Sequence, residues 1–154
     1  MTELHIGITG SRESIRPEQV QTFNHTLESW HNAGFGITLH HGDCIGVDET
    51  LSAQALARGY KVVAHPPDIE THRAFASSHE VRSPKSYLVR NRDIVNESVV
   101  LLGFPSDGTE VVRSGTWSTI RYAWTALHRD CVWVIPPDGV PTKFVDRYRT
   151  EYSR

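Results

Sequence analysis

The chain has 154 residues, of which 38% are hydrophobic and 22% charged, and we expect one folded domain spanning residues 1–154. A formal net charge of -2, without a run of Lys or Arg, argues against a protein that binds duplex nucleic acid. No apolar run approaches the length of a membrane span and no basic-plus-apolar signal segment begins the chain, so we expect a soluble cytoplasmic protein.

The first predicted strand covers residues 4–8 and ends in the small and polar run Thr9-Gly10-Ser11-Arg12. Small residues after a first strand let a ligand approach the backbone, and the guanidinium of Arg12 offers a fork of donors to a phosphate or carboxylate. Pro17 then begins a helix whose apolar residues recur at helical spacing until Gly34. We expect the four apolar residues of this helix to face the core and to have a structural role; they are Val20, Phe23, Leu27 and Trp30.

The second predicted strand begins at Ile37 and runs into a turn that holds Gly42, Asp43, Gly46 and Asp48. The two glycines permit unusual backbone dihedral angles. The two carboxylates could accept hydrogen bonds from ribose hydroxyls, from a base or from the water shell of a metal. They could equally do no more than cap the following helix, and the sequence leaves both interpretations open.

The two cysteines, Cys44 in this turn and Cys131 near the end of the chain, have no spacing typical of a metal site. A nucleophilic role for Cys44 would require a partner base, and none is evident in the sequence. We therefore expect two reduced thiols, with Cys44 a small turn residue.

The third predicted strand covers residues 61–65, and residues 68–86 after it have neither helical nor strand periodicity. A connection of this length in a compact domain is typical of a binding loop or lid, and its basic residues could contact an anion or remain solvated. His65, His72 and His79 are seven residues apart in a loop, a spacing that is not typical of metal ligands, so we predict no metal site there.

A short helix is predicted over residues 87–96, with Arg90 and Asn91, and the fourth strand over residues 99–103. The run Ser114-Gly115-Thr116 then stands before an amphipathic helix predicted over residues 117–127. The first turn of a helix has unpaired N–H groups and the positive end of the helix dipole, and a glycine there admits a phosphate. The same residues are also ordinary at helix starts.

The fifth predicted strand covers residues 132–135, and a short terminal helix is predicted over residues 144–152. The alternation of strands and helices predicts an α/β protein: a single Rossmann-like domain with a mostly parallel five-stranded sheet and helices on both faces. For the strand order 3-2-1-4-5 a ligand is expected in the crevice at the carboxyl ends of strands 1 and 4.

These motifs, in this order and near these spacings, resemble the SLOG superfamily of Rossmann-like proteins. The superfamily includes DNA-processing protein A, the LOG phosphoribohydrolases and small nucleotide-binding domains. The motifs that carry the resemblance are residues 9–12, residues 42–48, Arg90-Asn91, and Ser114-Gly115-Thr116 with Thr119.

The resemblance implies a nucleotide or nucleotide-derived ligand, such as a phosphorylated ribose or an ADP-ribose-like molecule, with its phosphate on residues 114–116. The implied ligand-binding residues are Thr9, Gly10, Ser11, Arg12, Gly42, Asp43, Gly46, Asp48, Arg90, Asn91, Ser114, Gly115, Thr116 and Thr119. Neither a resident cofactor nor a metal is implied.

One departure from the family pattern bears on catalysis. LOG enzymes cleave the N-glycosidic bond of a nucleoside monophosphate with an arginine, which Arg90 matches, and with a glutamate, which is replaced here by Thr119. The first glycines of their phosphate turn are replaced by Val112-Arg113-Ser114. A threonine cannot stabilise an oxocarbenium-like state or activate water at neutral pH.

Three functional hypotheses follow from this departure. The first is a sensor, carrier or sequestering protein for a nucleotide-derived ligand. The second is an N-glycosidase in which Asp43 or Asp48 replaces the usual glutamate, and the third, weaker given the acidic balance, is binding of single-stranded DNA. The resemblance also implies a homodimer or higher homo-oligomer, to which Trp117, Tyr122 and Trp124 could contribute if they are not part of the core.

Overall fold

The computed structural model describes residues 1–111 and 114–145. The α-helices in these residues are α1 (Pro17–Asn32), α2 (Val47–Ala57), α3 (Tyr87–Asn96) and α4 (Gly115–Ala126). The strands are β1 (Thr2–Gly10), β2 (Phe35–His41), β3 (Lys61–Ala64), β4 (Glu80–Val81), β5 (Val100–Phe104), β6 (Val132–Val134) and β7 (Thr142–Lys143). Two 3-10 turns, Glu70–His72 and Arg129–Cys131, complete the regular elements described.

All seven described strands form one sheet in the order β4-β3-β2-β1-β5-β6-β7. Every pairing is parallel except that of β6 with β7, which is antiparallel. The five predicted strands occupy the centre of this sheet in the predicted order, so both the α/β class and that order are confirmed. The predicted count of five strands is wrong, because the short strands β4 and β7 extend the two edges.

The connection over residues 68–86 contains more regular structure than its sequence predicts. A 3-10 turn covers Glu70–His72, and Glu80–Val81 forms β4. The strand exists because β3 offers it a free edge, with Val63 and Ala64 opposite its two residues. Two residues cannot show a periodicity, so the sequence alone had no signal for this strand.

The predicted terminal helix over residues 144–152 lies mostly outside the described residues. Phe144 and Val145 are described and are not helical. They directly follow β7, and the N–H of Phe144 donates to the carbonyl of Val132 at 3.0 Å.

The helices cover both faces of the sheet, as predicted. Helices α1 and α2 pack on one face, where Phe23, Leu27 and Leu51 meet the apolar side chains of β1, β2 and β5. Helices α3 and α4 cover the other face. There Trp117 and Trp124 are 6% and 4% exposed and pack into a second core cluster, so both belong to the core of the chain itself.

Because β1 lies between β2 and β5, the connections that leave β1 and β2 meet the connection after β5 at one edge of the sheet.

Among the described residues, no helix is both long and apolar enough to cross a membrane.

Candidate functional site

A cleft of about 610 Å³ lies at the carboxyl ends of β1, β2 and β5, bounded by α3 and by the first turn of α4. Most of the predicted ligand-binding residues line it, although they come from four separate stretches of the chain. The predicted residues in its wall are Thr9, Gly10, Ser11, Arg12, Gly42, Asp48, Arg90, Asn91, Ser114, Gly115 and Thr116.

The first turn of α4 has the features of an anion site. Ser114 is the N-cap, and its hydroxyl accepts the N–H of Trp117 at 3.4 Å. A Cβ added to Gly115 would meet no atom of residues 1–111 or 114–145 within 4 Å, and Gly115 lines the cleft. Unpaired N–H groups and the positive end of the helix dipole are therefore open to a ligand.

Arg90 is 6% exposed and holds the turn after β2 in place. Its Nη1 donates to the carbonyl of Gly42 and, at 3.2 Å, to that of His65, while its Nε donates to Asn91 Oδ1 at 2.7 Å. A Cβ on Gly42 would lie 2.5 Å from Nη1, so only a glycine leaves room for the guanidinium. These hydrogen-bond partners are neutral, and the charge of Arg90 acts on the nearby carboxyl of Asp48.

Arg12 stands on the opposite wall, and its Nη1 contacts His72 Nδ1 at 2.9 Å. Both arginines contact the ring of Tyr87, whose centroid is 5.5 Å from the guanidinium carbon of Arg12 and 5.3 Å from that of Arg90. The aromatic face favours cations on both sides. Two guanidinium groups are thus arranged around one ring at the cleft.

Asp48 provides the buried carboxyl of the cleft. Its Oδ2 accepts the N–H of Cys44 at 3.3 Å, whereas its Oδ1 is buried without a hydrogen-bond partner. Burial raises the pKa of Asp48 to about 6, against the opposing charge of Arg90. A carboxyl with such a pKa exchanges a proton near neutral pH.

Three predicted residues do not line the cleft. Asp43 is turned away, because its Oδ2 binds Arg73 Nε at 2.8 Å and its Oδ1 accepts the N–H of Ala76 at 2.8 Å. Gly46 has φ 92° and packs against the backbone of Arg12, so it positions that residue. Thr119 is 3% exposed, and its hydroxyl donates to the carbonyl of Gly115 at 2.9 Å.

Cys44 lies in the cleft wall beside Arg90, with its Sγ 3.7 Å from both Nη atoms. Burial, followed by the charge of Asp48, raises the pKa of the thiol above its usual range. The protonated thiol is a poor nucleophile, which agrees with a small turn residue.

Two further residues of the cleft were not predicted as ligand contacts. In the part of the chain that the structure describes, the hydroxyl of Tyr87 and the indole Nε1 of Trp117 are buried without a partner, as is Asp48 Oδ1, and all three residues line the cleft. Tyr87 precedes Arg90 by three positions on α3, a spacing that puts two side chains on one helix face. That spacing is the signal from which the sequence could have indicated Tyr87.

The three histidines with seven-residue spacing do not come together. His72 contacts Arg12, and His79 Nδ1 accepts the N–H of Val62 at 3.0 Å. His65 instead contacts His40 on β2, at 3.0 Å between His65 Nε2 and His40 Nδ1. Burial lowers the pKa of both His40 and His65 to about 4, so both rings are neutral at physiological pH.

No protein-family model matches the chain, and no curated protein matches it. Similar solved structures include the following two. TM1055, a structural genomics target solved by X-ray crystallography, is 18% identical with a TM-score of 0.57, over 82% of this chain and 70% of that chain. The molybdenum cofactor binding protein from the phototrophic bacterium Rippkaea orientalis is 20% identical with a TM-score of 0.61, over 88% of this chain and 77% of that chain. These similarities show a shared Rossmann-like fold.

Proposed function

We propose that the chain binds a phosphorylated, nucleotide-derived small molecule in the cleft and acts as a sensor, carrier or sequestering protein. One observation carries the proposal: three buried polar atoms that have no partner among the described residues, Asp48 Oδ1, Tyr87 Oη and Trp117 Nε1, belong to residues of this single cleft. A buried polar atom without a hydrogen bond costs about 1–3 kcal/mol, and a bound ligand would remove that cost.

Each part of such a ligand has a complementary partner in the cleft wall. The phosphate would bind the N–H groups of Gly115 and Thr116 and the guanidinium of Arg12. The ribose hydroxyls would donate to Asp48 Oδ1, which is the acceptor that a sugar requires. The hydroxyl of Tyr87 and the indole N–H of Trp117 would donate to other acceptors of the ligand.

A carrier role has support from one of the similar structures. The protein from Rippkaea orientalis is named as a molybdenum cofactor binding protein, and it shares the fold of this chain. Molybdenum cofactor therefore belongs among the ligands to be tested, together with AMP, ADP-ribose, NAD, cyclic nucleotides and ribose 5-phosphate.

The test is isothermal titration of the full chain with each of these ligands. Binding of at least one is expected, and it should be lost in Arg12→Ala, which removes a phosphate contact, and in Gly115→Val, which fills the phosphate position. Arg92→Ala is the matched control, because Arg92 lies on the same helix as Arg90 but contacts the ring of Tyr122. Binding that survives both cleft variants would contradict the proposal.

A second candidate function, N-glycosidase, is favoured by the environment of Asp48. With its pKa near 6, the carboxylate can take a proton from water at neutral pH. The water oxygen then bonds to C1′ of the ribose while the C1′–N bond breaks, and the base leaves with the bonding pair and gains a proton. Of the two predicted substitutes for the missing glutamate, Asp48 is the one with a free oxygen at the cleft, since both oxygens of Asp43 are bound.

Chromatography of products distinguishes the two functions. An N-glycosidase would release free base and ribose 5-phosphate from a nucleoside monophosphate, and Asp48→Asn would stop the release but retain ligand binding. Asp68→Asn, a substitution of an exposed aspartate away from the cleft, serves as the control. Ligand binding by the unmodified chain without any release of base would leave the binding function and reject the enzyme.

A further inference from the structure

A second cluster of functional groups lies away from the cleft, on the sheet face that α3 covers. His40 lies on β2, His65 follows β3, and Glu97 is the C-cap residue of α3. Each contributes one nitrogen or oxygen ligand atom, and these atoms all lie within 4.8 Å of one another. The two rings are buried, whereas the side chain of Glu97 is 37% exposed.

The groups of this cluster form a row that is joined by two hydrogen bonds and, at its outer end, by an ion-pair contact of Glu97 with His65. Glu97 Oε2 lies 3.6 Å from His65 Nδ1, His65 Nε2 lies 3.0 Å from His40 Nδ1, and His40 Nε2 lies 2.9 Å from His5 Nδ1. A carboxylate only accepts, so Nδ1 of His65 carries the proton that faces Glu97, and each neutral ring along the row then accepts at Nε2. Neutral imidazole is the form that binds metal ions.

We propose that His40, His65 and Glu97 form a binding site for a divalent transition metal ion, with zinc preferred. Two imidazoles and one carboxylate are a common zinc ligand set that leaves a fourth position for water. The ligand nitrogens of the two histidines are 3.0 Å apart, close to the spacing of about 3.3 Å that bonds of 2.0–2.1 Å give around a tetrahedral ion. Glu97, at the end of α3, offers the third ligand atom, within 4.8 Å of those of the two histidines.

Metal binding requires only a shift of tautomer in the histidine row. When the ion binds His40 Nδ1, the proton of that nitrogen leaves to solvent and Nε2 takes up a proton in its place, so that Nε2 becomes the donor to His5 Nδ1. His5 is then a positioning residue, since a ligating histidine is oriented by the group that its other nitrogen contacts.

Arg82 is paired with the carboxylate of the proposed site and with a neighbouring one. Its Nη2 binds Glu97 Oε1 at 2.7 Å, its Nη1 binds Glu80 Oε2 at 2.8 Å, and its side chain is 40% exposed. An arriving cation would replace Arg82 at Glu97 and leave the arginine on Glu80. The last turn of α3 contains no basic residue, so its negative helix end also favours a cation here.

Zinc titration of the tag-free, EDTA-treated full chain tests this proposal, with Co²⁺ absorption as a report of coordination by nitrogen and oxygen. One ion per chain is expected. Glu97→Gln should weaken binding about tenfold or more, at least the loss that follows removal of an orienting group. Glu28→Gln is the matched control, since it removes an exposed carboxylate on α1, which covers the other face of the sheet, and should leave the affinity unchanged.

Arg82→Ala provides a test in the opposite direction. It removes the cation that competes for Glu97 and should tighten zinc binding, whereas a purely structural row of histidines would show no such gain. Absence of zinc binding would overturn the site, as would equal affinities in the unmodified chain, Glu97→Gln and Arg82→Ala. Both variants alter half-exposed side chains, so the test does not depend on substitution of a buried histidine.

Discussion

Burial and a nearby positive charge act on the pKa of Asp48 in opposite directions. It is 7% exposed, and burial raises its pKa to about 6 although the positive charge of Arg90 acts in the opposite direction. One carboxylate oxygen has no partner. A buried charge with half of its hydrogen bonds unmade destabilises the folded chain, and it is the kind of cost found at ligand sites.

We predict that this cost appears as a pH dependence of stability. The folded-state pKa is raised, so the protonated carboxyl stabilises the fold below about pH 4, and that contribution is lost as the pH rises to about 6. A shift of about two units corresponds to roughly 3 kcal/mol at most. Asp48→Asn should therefore match the unmodified chain at pH 4 and be more stable at pH 7.

Urea denaturation of both proteins between pH 4 and pH 7.5 measures the effect. The difference between the two curves isolates Asp48, because the other titrating groups are shared. Parallel stability profiles over this range would show that the carboxyl titrates at its ordinary pKa.

At the scale of an element, α1 is attached to the sheet by one buried amide. Gln19 is 2% exposed, and its Nε2 donates to the carbonyls of Pro105 and Ile135 at 3.0 and 2.9 Å. Its Oε1 accepts the N–H of Arg16, at the start of the helix. The amide thus links α1 to the residues that follow β5 and β6.

We predict that Gln19→Leu destabilises the chain by about 2–4 kcal/mol, because two buried carbonyls lose their donor. Gln21→Leu on the same helix is the control: Gln21 is exposed, and such a change usually costs less than about 0.5 kcal/mol. Denaturant midpoints of the two variants supply the comparison. Equal losses would mean that the amide of Gln19 contributes nothing specific.

The residues of the long helices and strands were sufficient to predict these elements, whereas the residues of the short strands were not. Helix α3 covers Tyr87–Asn96 as predicted, because ten consecutive residues are enough to show the apolar spacing of a helix and its two ends. Strands β4 and β7 have two residues each and exist only through pairing with β3 and β6. No local pattern of two residues can indicate such a strand.

The cleft is a property of the whole molecule. Its walls come from the connections after three strands and from two helices, so ligand binding would stabilise the entire fold rather than one element. A homo-oligomer, a cytoplasmic location and the ligand class stay predictions.

We predict that a ligand that fits the cleft raises the unfolding temperature by about 5 to 10 °C at one hundred times its dissociation constant. This concentration corresponds to about 2.7 kcal/mol of stabilisation, and a chain of this size gains about 2–4 °C for each kcal/mol. Thermal unfolding with AMP and with ribose 5-phosphate measures it. The same shift in Arg12→Ala would mean that the ligand binds elsewhere.

The sequence by itself determined the α/β class, the order of the five central strands and most of the cleft wall. These follow from periodicity, helix starts and short motifs, which are properties of neighbouring residues. Only the tertiary structure decided that Asp48 rather than Asp43 lines the cleft, that Tyr87 and Trp117 join it, and that His40 meets His65 and Glu97. The physical reason is that each of these contacts joins residues far apart in the sequence. Such a contact depends on how the segments pack against one another, and the pattern within one segment does not indicate that packing.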